Sequence, residues 1–241
     1  MLFRNSYMSS ATKFFDGETE QFAANYQRKA SFKDRLQIFV EAVKETTKAP
    51  AQVLDFGCGP GIISVELSRL GYHVLGLDGS VEMVRMCQAR AEKLGLKNIR
   101  FDHNGAEGVQ LPAEFFDAVV CSSVVEYVVE DMALISKLIA SLKPGGQLII
   151  SVPNVGSLMG KTEDAVRSLK RATGAGRGRH LSYSLRRYHK SEFCSELNRM
   201  GLANIQCKSF EFPWFGTAGV KLSRLPILGV MVLVRGQKRA G

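Results

Sequence analysis

The chain has 241 residues, 45% hydrophobic and 23% charged, with 32 Lys and Arg against 23 Asp and Glu, giving a net charge of +9. That length and balance suit one globular domain with its own core, and argue against disorder as a main theme and against a fold that needs disulfide or metal staples. The surplus of positive charge points to nucleic acid, an anionic membrane surface or an acidic small substrate as partner.

Helical spacing of Phe22 and Tyr26, then of Leu36, Phe39, Val40 and Val43, predicts one or two amphipathic helices between about 18 and 48, closed before Pro50. A short buried strand over 52–56 runs into the turn Gly57-Cys-Gly-Pro-Gly61 and a helix from about 62 to 70. A second strand over 73–77 ends in Asp78, followed by a helix over 81–93. Further strands are expected at 99–101 and 116–121, a helix at 131–142, a tight turn at Lys143-Pro-Gly-Gly146 and a strand at 147–152. Apolar strands alternating with helices predict an α/β fold, a doubly wound and mostly parallel sheet. A helix over about 190–200 and two antiparallel strands near 204–212 and 230–236 would complete the sheet edge.

The five cysteines, Cys58, Cys87, Cys121, Cys194 and Cys207, are odd in number and never spaced CxxC, which argues against a disulfide framework and a structural zinc site. No His and carboxylate cluster has metal-ligand spacing, so no metal is expected. The opening MLFRNSYMSS has no signal-peptide apolar core, and the apolar run over 225–234 is broken by Pro226 and Gly229 and too short to cross a bilayer. A cytoplasmic protein in a reducing compartment is the expectation.

The most informative segment is Val53-Leu-Asp-Phe-Gly-Cys-Gly-Pro-Gly61. Its glycines at 57, 59 and 61 depart from the dinucleotide spacing GxGxxG, and Asp55 would repel a pyrophosphate. A carboxylate there suits a cationic group, and Asp78 at the end of the next strand suits ribose hydroxyls. These features describe a nucleoside carrying a positively charged amino-acid part.

Together with GLDGS at 76–80, FFDAVVCSSVVEYV at 115–128, LKPGGQLIISVPN at 142–154 and FFDGETEQFAANY at 14–26, the chain resembles the class I S-adenosylmethionine-dependent methyltransferases, and among them the small-molecule group of ubiquinone-biosynthesis type. The resemblance covers about 14–154 well and the remainder loosely. It implies S-adenosylmethionine as cofactor. It puts Asp55 at the amino-acid end over Gly57, Gly59 and Gly61, and Asp78 at the ribose, with Gly79, Ser80 and Met83 beside the adenosine. Gly105-Ala106 stands where the family carries Asp-Ala, leaving Asn104, Glu107 or the Ala106 backbone for the adenine amino group. Cys121 and Ser122 would line the sulfonium side and Tyr26 would close over the methionine part. Tyr127 occupies a place where relatives often have His, and His180 and His189 fall in a segment where a His can face the substrate. These three are the candidate catalytic residues, weighed against a packed aromatic and surface or capping histidines.

One domain is expected, with a helical cover over 1–49, a cofactor-binding core over 50–154, a basic substrate lid over 155–190 and a helix and hairpin over 191–241. Residues 155–190 hold nine basic and two acidic side chains, a local +7, and 217–241 add five basic side chains and no acid. The charge therefore sits outside the cofactor core, either as a grip on an anionic or membrane-associated acceptor or as a solvated surface. Phe210, Phe212, Pro213, Trp214 and Phe215 would form an apolar substrate wall, or else core or a homodimer surface. The expected reaction is in-line O- or C-methylation of a small lipophilic acceptor. The alternatives are an RNA methyltransferase, disfavoured by the lack of a nucleic-acid module, and a non-catalytic S-adenosylmethionine-binding protein.

Overall fold

In the computed structural model, residues 17, 19–106, 108–158, 161, 184–211, 218, 220–221, 223–225 and 227–240 are described. Two helices, α1 (Thr19–Arg28) and α2 (Ala30–Thr46), lead into β1 (Gln52–Phe56), α3 (Ile62–Arg69), β2 (His73–Asp78), α4 (Val81–Lys93), β3 (Ile99–His103) and β4 (Phe116–Ser122). A 3₁₀ turn (Val125–Tyr127), α5 (Asp131–Ser141), β5 (Leu142–Pro153), α6 (Lys190–Arg199), β6 (Leu202–Phe210) and β7 (Met231–Lys238) follow. The helices and strands expected from the periodicity are present, with ends moved by a few residues.

The seven strands form one sheet in the order β3-β2-β1-β4-β5-β7-β6. β1 lies parallel to both β2 and β4, with Asp55 opposite Gly76 on one side and Val120 on the other. β7 runs antiparallel to β5 and β6, as the late pair of strands predicted. The chain order reverses between β1 and β4, so their carboxyl ends diverge and open a crevice there. Apolar runs in β1, β4 and β5 are buried on both faces because helices cover both, one face by α2 and α3 and the other by α5 and α6. On the α2 side, Phe39 and Val43 are fully buried against Val53, Val120 and Ile149. Each such burial contributes roughly 1.5–3 kcal/mol.

The Lys143–Gly146 turn departs from expectation: it stays inside β5 and is taken up as an irregularity, where Phe116 pairs with Leu142 and Ala118 with Gln147. A Cβ at Gly146 would stand 2.9 Å from the Lys143 carbonyl oxygen and 3.1 Å from that of Phe116, and Lys143 Nζ lies 2.7 Å from Asp117, so the looped residues remain pinned to β4. Phe210 meets Phe39 edge-on at 6.4 Å and is fully buried, which makes it core; Phe212, Pro213, Trp214 and Phe215 lie outside the described residues, as does most of the basic segment between 159 and 183. Among the described residues no helix is long and apolar enough to cross a membrane, and no cluster of His, Cys, Asp or Glu could hold a metal ion.

Candidate functional site

The site starts from the turn after β1. Gly57, Gly59 and Gly61 have φ of +69°, +51° and +69°, a region that side chains other than glycine occupy at a cost. They do different jobs. A Cβ at Gly57 would stand 2.2 Å from Val124 Cγ2, and one at Gly61 would stand 2.6 Å from Cys87 Sγ, so both let the turn pack closely. A Cβ at Gly59 would meet nothing within 4 Å: the turn faces open space there, as a ligand cradle requires. The turn is held from below, with the Gly57 N–H donating to the Leu77 carbonyl (2.7 Å) and the Cys87 thiol donating to the Gly59 carbonyl (3.1 Å).

Asp78, closing β2, accepts from the Gly59 N–H at 2.8 Å through one carboxylate oxygen and from the Ser80 N–H at 2.9 Å through the other. Ser80 then caps α4, its hydroxyl accepting from the Met83 N–H at 3.1 Å. The sequence from Asp78 to Met83 thus fixes the acid's orientation and starts the helix that supports it. Asn104 joins the same corner, its N–H donating to the Asp78 carbonyl at 2.9 Å, and the Gly79 carbonyl lies 3.0 Å from His103 Nε2. Met83 and Ala106 are buried beside this corner, and Glu107 lies outside the described residues.

Asp55 is buried and accepts from the Ser64 hydroxyl at 2.5 Å. Burial pushes its carboxyl from 3.8 to about 7, with Asp78 adding to the rise and Ser64 opposing it. A carboxyl in that state lacks a cation, and an ammonium group placed beside it would favour its charged form. Tyr26 of α1 packs edge-on against Phe32 at 5.0 Å, and burial pushes its phenol up to about 12, with Arg35, Asp55 and Glu211 all close enough to contribute. Tyr26 therefore lies near Asp55.

The sequence reading missed two residues here. Arg35 of α2 is buried, donates to the Ser123 hydroxyl at 2.6 Å and pairs with Glu211, while its Nε has no hydrogen-bond partner. Its sequence signal is a basic residue spaced i, i+4, i+8 with Phe39 and Val43, hence on the buried stripe of an amphipathic helix. Glu126 in the 3₁₀ turn is buried, and its Oε2 has no partner. Burial pushes its carboxyl from 4.5 to about 8, with Arg35 opposing and Glu211 adding to the rise. Its signal is a lone acid within Val124-Val-Glu-Tyr-Val128. The Ser122 hydroxyl is likewise buried without a partner. Three orphaned polar atoms around the ends of β4 and α2 are what a site completed by a ligand looks like.

Of the other expected residues, Cys121 is fully buried in the core at the end of β4, where burial pushes its thiol well up, so any part it plays at the site passes through its backbone. Tyr127 is half-buried beside Glu126. His189 is exposed just before α6, lining a cavity of about 400 Å³ with Asn154, Gly156, Lys190, Ser191 and Cys194. His180 lies outside the described residues. The segment ahead of His189 is anchored: Arg186 and the Tyr188 hydroxyl both donate to buried Asp131, at 2.5 and 2.8 Å, and Leu185 N–H donates to the Glu126 carbonyl at 2.7 Å.

This sheet order and the crevice over its glycine turn define a Rossmann-like class I methyltransferase fold. A magnesium protoporphyrin IX methyltransferase from Synechocystis, solved with S-adenosylhomocysteine, aligns with a TM-score of 0.62 at 21% identity over 87% of this chain and 85% of its own. A SAM-dependent methyltransferase from Archaeoglobus fulgidus aligns at 0.62 and 16% identity over 90% and 99%. Residues 53–146 match a family model described as a methyltransferase domain. It is similar to ubiquinone biosynthesis O-methyltransferases, at 36% identity over 43% of this chain and 41% of the protein from Cereibacter sphaeroides, and at 33% over 48% and 43% for the mitochondrial protein of Schizosaccharomyces pombe. The matched stretch thus spans less than half the length of these two curated relatives.

Proposed function

We propose that the chain transfers a methyl group from S-adenosylmethionine to an oxygen of a small lipophilic acceptor. The observation that carries this reading is Asp78 and buried Asp55 flanking a glycine turn that is open above Gly59, with buried Arg35 and Asp55 both close to Tyr26. Asp55 would take the ammonium of the cofactor, Arg35 its carboxylate, and Asp78 the ribose hydroxyls. The orphaned Arg35 Nε and the cation-deficient Asp55 fit that assignment. When bound, S-adenosylmethionine supplies a methyl group already activated by a positive sulfur. The protein's remaining work is to orient the acceptor, exclude water and take a proton.

Glu126 is the proton acceptor in this reading. Its buried, partnerless Oε2 lies in the turn directly after β4, with Tyr127 beside it to shape the acceptor pocket. His189 and His180 take no step in it. Transfer to oxygen is supported by the relatives' description as O-methyltransferases, and an anionic or membrane-borne acceptor by the +7 balance of residues 155–190. The test offers the purified chain labelled S-adenosylmethionine with phenols, catechols, aliphatic carboxylates, amines and a transfer-RNA pool, and follows S-adenosylhomocysteine release with mass spectrometry of the acceptor. Methylation of a phenolic oxygen supports the reading; transfer confined to RNA or to amines would overturn it.

A further inference from the structure

Cys194 in α6 and Cys207 in β6 stand with their sulfurs 2.8 Å apart. Both are half-buried, whereas Cys58, Cys87 and Cys121 are buried. The pair straddles the turn at Gly201, with the sulfurs brought together because Phe193 and Leu197 seat α6 against the sheet on the same cluster as Leu202 and Cys207. Cys194 also lines the cavity of about 400 Å³ shared with His189, Lys190 and Ser191, so the pair is reached from solvent through a recess that carries a lysine.

We propose that Cys194 and Cys207 form a redox-modification site whose substrate is a low-molecular-weight disulfide of the glutathione type. The geometry and charge favour Cys207 as the attacking sulfur. Either thiol can donate to the other; with Cys194 donating, that hydrogen bond and nearby Lys190 stabilise a thiolate at Cys207 and bring it down to about 7, and Cys194 is then raised. Thiolate character and access decide which cysteine reacts. Cys58, Cys87 and Cys121 are buried and lack that access, and the thiols of Cys58, through its hydrogen bond with Cys87 and its burial, and of Cys121, through burial, are held well above their ordinary range.

The exchange runs in two steps. The Cys207 thiolate attacks one sulfur of the incoming disulfide, forming a mixed disulfide and expelling the other half as a thiolate, which picks up the proton that Cys207 had released. Cys194, losing its proton, then attacks Cys207 Sγ and expels the second half, which takes that proton. Two protein thiols are oxidised, one small disulfide is reduced to two thiols, and a Cys194–Cys207 bond remains. Closing from 2.8 Å to a disulfide's about 2.05 Å needs little movement of either element. The new bond ties the first turns of α6 to β6, next to the anchored segment that ends at His189. This inference stands apart from the methyl-transfer reading.

The test equilibrates the full-length chain with mixtures of reduced and oxidised glutathione, quenches with an alkylating reagent, and maps peptides by mass spectrometry. The expected products are an unalkylated, linked Cys194–Cys207 peptide pair, a mixed disulfide trapped on Cys207 in Cys194→Ser, and unmodified Cys58, Cys87 and Cys121 throughout. The oxidised wild-type chain should also show a raised melting temperature that returns on reduction. Full alkylation of both Cys194 and Cys207 in the wild-type chain after exposure to excess oxidised glutathione would overturn the proposal. So would a mixed disulfide trapped on Cys194 in Cys207→Ser together with none on Cys207 in Cys194→Ser.

Discussion

Replacing Gly57 and Gly59 separately by alanine separates packing from ligand space within one turn. Both residues sit at positive φ, so either substitution costs about 1–2 kcal/mol of backbone strain. At Gly57 the new methyl would also stand 2.2 Å from Val124 Cγ2 and 3.3 Å from its Cβ. Valine is stiff at χ1 and cannot swing clear, so overpacking adds roughly 1–3 kcal/mol. Gly57→Ala should therefore lose about 2–5 kcal/mol of stability. Gly59→Ala has no protein atom within 4 Å of its methyl and should lose only the strain of about 1–2 kcal/mol. Its methyl instead occupies the open space above the turn, so S-adenosylhomocysteine affinity should fall at least tenfold, about 1.4 kcal/mol. Urea denaturation gives the first quantity and isothermal titration the second. A Gly59→Ala protein that binds S-adenosylhomocysteine as tightly as wild type, or a Gly57→Ala protein as stable as Gly59→Ala, would refute the division of labour.

Asp55 titrates near 7 in the free chain, and the cofactor's ammonium needs its charged form, so S-adenosylhomocysteine affinity should weaken as pH falls from 8 to 6; Asp55→Asn should bind weakly at both ends with that slope gone. The same carboxyl makes the unliganded fold less stable as pH rises from about 4 to about 7, because over that window the unfolded chain releases the proton while the fold keeps it, and the loss is complete above 7; from 3.8 to about 7 the full effect is about 4 kcal/mol, and Asp55→Asn should flatten it in urea titrations across about pH 4 to 8. For Glu126 as base, the rate of methyl transfer should climb with pH through about 8, and Glu126→Gln should lower kcat at least a hundredfold and abolish that limb while S-adenosylhomocysteine still binds. An unchanged pH profile in Glu126→Gln removes Glu126 from the chemistry. Asp131 holds both Arg186 and the Tyr188 hydroxyl while almost fully buried, so Asp131→Ala should cost about 3–5 kcal/mol in chemical denaturation.

The parallel sheet was legible because each strand is a short apolar run bounded by glycine or a capping acid, and because Val53 to Gly61 carries strand, acid and turn within nine residues. The geometry around the glycine turn was legible for the same reason: Asp55, the three glycines, Asp78 and Ser80 lie within two consecutive strand ends, so local spacing encodes their arrangement. Arg35 and Glu126 were not. Arg35 meets Ser123 and Glu211 across 88 and 176 residues, and such contacts follow from the packing of α2 on the sheet rather than from any local pattern. That Cys194 and Cys207 stand side by side was not legible, because sequence spacing cannot show that a helix and the strand after it bring them together. The Lys143–Gly146 turn was legible as a turn, but its retention within β5 depends on Asp117 and the Phe116 carbonyl of the neighbouring strand.

Isothermal titration of the purified chain with S-adenosylhomocysteine measures most directly whether the crevice over Gly59 holds the proposed cofactor. Saturable binding at about one site per chain with a micromolar or tighter Kd, lost in Asp55→Asn and in Arg35→Ala, is the expected result. No binding at millimolar ligand, or equal binding by wild type and both variants, would contradict the assignment of this crevice to S-adenosylmethionine.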